Sequence, residues 1–291
     1  MTNDFLTADH VAPIAAGLVG ADLGLAGLVY RDLEADFSAG QGDTVKVRVP
    51  GAVASQSRGI YDTSTPLVQG AITENSIDVK LTEHVYDSVP LSEGDLDLDI
   101  VDFGKQVLLP QTSAVVKHVE RAVATAMSAT PETTAITYAA ASPAKAFTAI
   151  RTTLRDRGVP TEARLIAAVG SGVYGHLLDA EAIDENGKVR GFEIVESTRL
   201  ASDEIVAFIP EAFALVVRAP QVPDGAPFGA SVNEGGFALR WIRSYDATVA
   251  VDRSLVSAFV GVKAMPLAVD RENGTVELVA NGGAVRVLTA A

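Results

Sequence analysis

Gly170-Ser171-Gly172-Val173-Tyr174-Gly175 is the stretch of this chain whose residue types and spacing match a ligand-binding motif. A GxGxxG run between a strand and a helix cradles the pyrophosphate of a dinucleotide, because glycines let the backbone approach and the helix N–H groups point at the phosphate. A strand over 164–169 precedes the run, a short helix over 173–179 follows, and Glu193 and Glu196 stand about twenty residues on, where an acidic residue holds a ribose hydroxyl. Against this, the helix has only about two turns and no further strand-helix-strand units follow. A tight strand-to-helix turn is the competing reading.

Asp95, Asp97 and Asp99 alternate like the start of a calcium loop. The sixth position, however, holds Ile100 where glycine makes the turn, and the twelfth holds Gln106 where glutamate closes the coordination shell. The run reads as the solvated acidic edge of a strand or turn. His10, His84, His118 and His176 fall in separate elements without metal-ligand spacing. The chain has no cysteine, which removes disulfides, thiolate metal sites and cysteine nucleophiles together. There is no GxSxG elbow and no GxxxxGK[ST] loop, and Asn273-Gly274-Thr275 reads as a turn rather than a used glycosylation sequon. No nucleophile, base and oxyanion donors assemble, so the expectation is a protein that is not an enzyme and carries no cofactor or metal.

Composition sets the frame around these motifs. With 291 residues, 48% hydrophobic and 21% charged, the chain can bury a sizeable core in one large or two modest domains. A net charge of -14 argues against a general nucleic-acid-gripping surface. The apolar stretch 11–28 is interrupted by Pro13, Asp22 and glycines, and the N-terminus lacks a basic secretory region. A soluble protein made inside the cell is expected.

The elements follow from periodicity. Residues 1–42 form an N-terminal arm whose apolar positions are spaced loosely like a helix and broken by Gly17, Gly20, Gly24 and Gly27. Pro110 suits a first helical turn, and Val115, Val116, Val119, Ala122, Val123 and Ala126 recur at helical period, predicting one long helix over 110–129. Ser142-Pro143 opens a second helix and Gly158 caps it. Strands are expected at 164–169, 192–197, 204–209, 213–218, 238–245, 248–252 and 255–262, with a proline-rich loop at 220–227. Asn273-Gly274 signals a hairpin and Asn281-Gly282-Gly283 a further turn. The fold class is α+β.

Thr44-Val45-Lys46-Val47-Arg48-Val49 and Ile77-Asp78-Val79-Lys80-Leu81 alternate apolar and polar residues, marking two half-buried strands. The polar, glycine-containing stretch between them is too long for an ordinary hairpin loop. It reads as an extended β-ribbon, and an isolated ribbon is marginal in water until it packs on something. Another copy of the same chain is the natural candidate.

The order of elements, ribbon then long helix then α+β domain then returning strands, resembles the major capsid proteins of tailed bacteriophages, the Hong Kong 97-type fold, and within it the podovirus-like coat proteins. Residues 42–50 look like the first strand of the extended loop and Val89-Pro90-Leu91-Ser92 leads into a helix similar to the spine helix. Tyr174, Leu177, Leu178, Gly191 and Ser197 sit in a segment like the axial domain, and Leu239-Arg240-Trp241 to Gly261-Val262 resembles peripheral-domain strands. The resemblance covers roughly 40–265. It implies an arm (1–42), an extended loop (43–91), a peripheral domain with the spine helix (92–145), an axial domain (146–236), peripheral strands (237–269) and a C-terminal hairpin tail (270–291).

The implied role is a shell subunit assembling into pentamers and hexamers around double-stranded DNA that it encloses without sequence-specific binding. A separate scaffolding protein and a portal are implied partners, with no membrane, assembly in the host cytoplasm and residence in the virion. Lys46, Arg48, Arg58, Tyr61, Arg240, Trp241 and Arg243 are the implied inter-subunit contacts. No Lys and Asn pair suggests covalent cross-linking, so assembly is expected to be non-covalent. The competing functions are a dinucleotide-binding enzyme and a phage tail structural protein.

Overall fold

The computed structural model describes residues 24–31, 43–95, 103–270 and 275–289, except 50–52, 54, 65, 68–71, 73, 227, 235 and 236. Most of the expected arm, Asp97, Asp99, Ile100 and the Asn273-Gly274 turn thus lie outside the described residues. In chain order the strands and helices are β1 (Thr44–Val49), β2 (Asn75–Lys80), β3 (Glu83–Ser92), α1 (Leu109–Ser128), α2 (Pro143–Asp156), β4 (Leu165–Val169), α3 (Ser171–Asp179), β5 (Lys188–Val189), β6 (Phe192–Glu196), β7 (Glu204–Phe208), β8 (Phe213–Arg218), β9 (Phe228–Glu234), β10 (Phe237–Asp246), β11 (Val251–Ala264), β12 (Leu267–Asp270), β13 (Val276–Val279) and β14 (Ala284–Leu288). The described residues form two compact units: those within 1–44, 80–126 and 215–263 make the first, and those within 45–79, 127–214 and 264–291 the second.

The first unit is built on a sheet of order β3-β11-β10-β9, with β8 also pairing β11. Neighbours along that order are antiparallel. The expected strands 248–252 and 255–262 are one long strand, β11, which pairs with β3 from Val251 opposite Ser92 to Val260 opposite Glu83. Strand β9 carries Gly229 and Ser231, gave no periodic signal, and forms because β10 offers it a ladder. Helix α1 buries Val115, Val116, Val119 and Val123, the positions that the 3.6-residue period selects. Its start departs from a regular helix. Gly104–Leu108 form a widened π turn running into α1, and Pro110 explains why: it lacks an N–H and its ring crowds the carbonyl four residues back.

A sheet of order β14-β7-β4-β6-β5 carries the second unit; β4 and β6 run parallel and the other pairs antiparallel. Helix α2 begins at the expected Ser142-Pro143, though the serine side chain makes no capping bond. It stops at Gly158, whose φ of +99° is the left-handed region that glycine adopts freely. The expected hairpin tail is divided. β12 and β13 pair antiparallel, from Leu267 opposite Val279 to Asp270 opposite Val276, and after Asn281-Gly282-Gly283 the chain enters β14 and pairs with β7. The tail is therefore an edge strand of the second unit's sheet: β14 completes a ladder with β7, and its Val285 and Val287 are buried.

Glu204 ties this sheet together. Its side chain is 2% exposed, accepts from Arg286 Nε at 2.6 Å and from Ser128 Oγ at 2.9 Å, and receives the Ala201 N–H at 3.2 Å. A carboxylate so buried persists only when its lone pairs are taken up this fully.

Strands β1 and β2 form a separate two-stranded sheet. Val45, Ile77 and Val79 make its buried face, as the alternation predicts. The ribbon ends at Lys80, earlier than the expected 91, because β3 leaves it to pair with β11.

Candidate subunit interface

The segment between β1 and β2 holds the most exposed of the large apolar side chains among the described residues. Ile60 and Tyr61 are each 95% exposed, and Leu67 and Ile72 are also exposed. A local turn presents them: Asp62 N donates to the Gly59 carbonyl at 3.0 Å, and Asp62 Oδ1 accepts from Ser64 N and Oγ at 2.9 and 2.8 Å. This Asx-type turn fixes the backbone without burying any apolar surface. Arg58 and Lys46 are exposed on the same ribbon, and Arg48 lies in β1. At the ribbon base Lys80 Nζ pairs with Asp43 at 3.1 Å, and that hydrogen bond, with one from Thr44, holds the Asp43 carboxyl below its ordinary range. Large apolar groups left in water at the tip of a ribbon are the surface that association would remove from solvent.

The structure treats the other three expected contact residues differently. Arg240 and Trp241 are buried inside the first unit. Arg240 donates through Nε to Ser257 Oγ at 3.1 Å and through a terminal nitrogen to the Gln221 carbonyl at 2.8 Å. Trp241 Nε1 donates to Ser254 Oγ at 2.9 Å, which donates in turn to Gln111 Oε1 at 2.7 Å, while Gln111 Nε2 donates to the Ser254 carbonyl at 3.0 Å. This closed network fastens α1 to the sheet. Arg243 is half-buried, pairs with Asp252 on the neighbouring strand and lies over the Phe103 ring at 5.8 Å. Arg240 and Trp241 hold the subunit's own sheet together, so the accessible candidates are the ribbon residues.

The GxGxxG run takes the expected strand-turn-helix form, with β4 before it and α3 after it. The space a pyrophosphate needs is filled by the chain itself. A Cβ on Gly170 would fall 1.9 Å from the Ala201 carbonyl oxygen, and one on Gly172 would fall 2.8 Å from that of Ser202. Gly170 N donates to the Glu204 carbonyl at 2.9 Å and Val173 N to that of Ser202 at 3.1 Å. Glu193, the expected ribose ligand, instead forms a two-pronged pair with Arg164. The glycines admit a neighbouring backbone segment rather than a phosphate, and the dinucleotide reading loses its site.

The described histidines are dispersed. His118 pairs with Glu83 at 2.8 Å, His176 Nδ1 lies 3.3 Å from the Tyr138 hydroxyl, and His84 packs against Phe259 with ring centroids 4.9 Å apart. Burial, helped by nearby Arg240, holds the His84 pKa below the ordinary imidazole value. Asp95 accepts from Ser92 N and Oγ at 2.9 and 2.6 Å, which keeps its carboxyl low and makes it a turn residue. Among the described residues no cluster of three metal-ligating side chains occurs.

No protein-family model matches the chain, and no curated protein sequence matches it. Solved structures do. The chain is similar to a structure from Mycobacterium phage Che8, at 17% identity and a TM-score of 0.58 over 90% of both chains. A similar match is the capsid of Ralstonia phage GP4, at 11% identity and a TM-score of 0.58 over 91% of this chain and 88% of that one. A virus-like particle from Pyrococcus furiosus matches at 12% identity and a TM-score of 0.51, over 96% of this chain and 98% of the other. The likeness spans nearly the whole of each chain, and it establishes that this chain has the Hong Kong 97-type capsid fold.

Proposed function

We propose that the chain is the major capsid protein of a tailed phage, assembling without covalent cross-links into pentamers and hexamers that close an icosahedral shell around double-stranded DNA. The observation that carries this reading is near-complete coverage of capsid subunits by a chain whose own ribbon ends in exposed Ile60 and Tyr61. Each such contact is modest, but many repeated around a closed shell sum to a stable assembly. Lys46, Arg48, Arg58 and Tyr61 are the proposed contact residues, with a neighbouring copy as the surface they meet. A separate scaffolding protein and a portal complete the assembly, and the -14 net charge suits a wall that does not trap the DNA it encloses. The subunit has no enzymatic role and resides in the virion after assembly in the host cytoplasm.

The test is expression of the chain followed by negative-stain electron microscopy and light scattering. Closed shells, or rings of five or six subunits, are expected. Tyr61→Ala and Arg58→Ala should lower particle yield while leaving the circular dichroism of the unassembled subunit unchanged. Open tubes would favour the tail-protein reading, and an undiminished particle yield in both variants would remove the ribbon from the interface.

A further inference from the structure

Glu120 is a carboxylate in the middle of α1, on the face that packs inward, and it is 1% exposed. Among the described residues, no basic side chain partners it in the hydrogen bonds and ion pairs that hold it. Three backbone N–H groups from the N-terminal segment do so instead: Gly24 and Ala26 donate to Oε1 at 2.8 and 3.0 Å, and Leu25 donates to Oε2 at 2.9 Å. These donors are free to point at one carboxylate because Leu25–Gly27 form a single 3₁₀ turn, whose first N–H groups have no partner within the turn. Gly24 lies directly against the carboxylate, where a Cβ would make an ordinary contact at 3.4 Å from Oε2. Buried Leu25, Ala26 and Val29 complete the seat, and the Tyr30 carbonyl accepts the Leu215 N–H at 2.9 Å.

We propose that Glu120 is a latch: one side chain that decides whether residues 24–30 lie docked on the spine helix of their own subunit or are released from it. The asymmetry of the two partners supports a switch. The segment brings uncharged backbone donors that water satisfies equally well on release, whereas the carboxylate brings the charge that makes each of the three bonds stronger than a neutral one. The docked state therefore depends on Glu120 far more than α1 does, because α1 keeps its own backbone ladder and the apolar seam of Val115, Val119 and Val123 without it. A shell subunit that must fit more than one setting gains from an arm segment held by so concentrated a contact.

Hydrogen exchange on the full unassembled chain tests the latch, so the outcome does not depend on whether shells form. In Glu120→Gln the amide nitrogen replaces one acceptor and the charge is lost. Exchange at residues 24–30 should then accelerate roughly ten- to hundredfold, while peptides from α1 and β10 keep their protection. Leu25→Asp, which leaves α1 intact and places a charge in the buried seat, should give the same local pattern. Equal acceleration across α1 in Glu120→Gln alone would make Glu120 an ordinary helix-packing residue, and unchanged exchange at 24–30 in both variants would overturn the latch.

Discussion

Gly170 and Gly175 are the first and last glycines of one GxGxxG run, and their surroundings demand opposite responses to the same added methyl. At Gly170 the new Cβ would sit 1.9 Å from the Ala201 carbonyl oxygen, so the backbone of 201–202 must retreat by more than an ångström. Overpacking of that kind costs about 1–3 kcal/mol. The retreat also breaks the Gly170 N–H bond to the Glu204 carbonyl and the Val173 N–H bond to Ser202, about 1 kcal/mol each. A total of about 3–5 kcal/mol follows for Gly170→Ala, a fall in Tm of order 10 °C for a protein of this size. At Gly175 nothing lies within 4 Å of the added methyl, and the residue is inside α3. Replacing a helix glycine by alanine there should stabilise by about 0.5–1 kcal/mol and raise Tm by roughly 1–3 °C. Scanning calorimetry of the two variants, with and without a nicotinamide dinucleotide, reads both signs. If a dinucleotide stabilised the parent chain and Gly170→Ala merely abolished that shift at unchanged intrinsic Tm, the backbone-crowding argument would be refuted and the phosphate reading restored.

Removing Glu204 by Glu204→Ala leaves Arg286 unpaired in a mostly buried setting and should cost about 3–5 kcal/mol in urea unfolding, whereas Arg164→Ala, which opens the exposed pair with Glu193, should cost under about 1 kcal/mol. Trp241→Phe keeps an aromatic ring but loses the pyrrole ring and its N–H donor to Ser254, so it should lower stability by at least about 1–2 kcal/mol before any effect on assembly is read. His84 is held below its ordinary pKa chiefly by burial, so it disfavours the proton in the folded state. Its contribution is complete above about pH 6.5 and is lost as pH falls through the lowered folded value, which an NMR titration of the ring against a His84→Gln control will show.

The parts of the fold that local chemistry dictates were readable in the chain. Ser142-Pro143 and Gly158 bracket α2, and the valine spacing after Pro110 marks α1, because caps and helical periodicity are properties of neighbouring residues. What was not readable depends on distant partners. The resemblance implied Arg240 and Trp241 as inter-subunit contacts, yet β10 is buried on both faces from Phe237 to Ile242, a burial that depends on the neighbouring strands and on α1. The π turn at Gly104–Leu108 answers to Pro110, which fixes that a regular helix must fail there but leaves open how the preceding residues arrange themselves. For the candidate interface, the ribbon was legible in Val45, Ile77 and Val79, while the prominence of Ile60 rested on no period at all. Glu120 gave no signal, since its partners are backbone atoms of a segment far away in the chain.

Both sheets are closed by strands that meet late. β3 finds its partner only when β11 is available, and β7 lacks one neighbour until β14 arrives. Loop-closure entropy must be met before such pairings return anything, so the chain should fold slowly for its stability and pass through states in which the edges of β3 and β7 stand open. An open edge is a template for pairing with another chain. For a molecule whose proposed task is to gather many copies of itself, the order of events then matters as much as the final contacts. Copies that meet before β11 and β14 are in place expose additional unpaired strand edges and would join by them into aggregates, whereas copies that meet afterwards present β11 and β7 already paired.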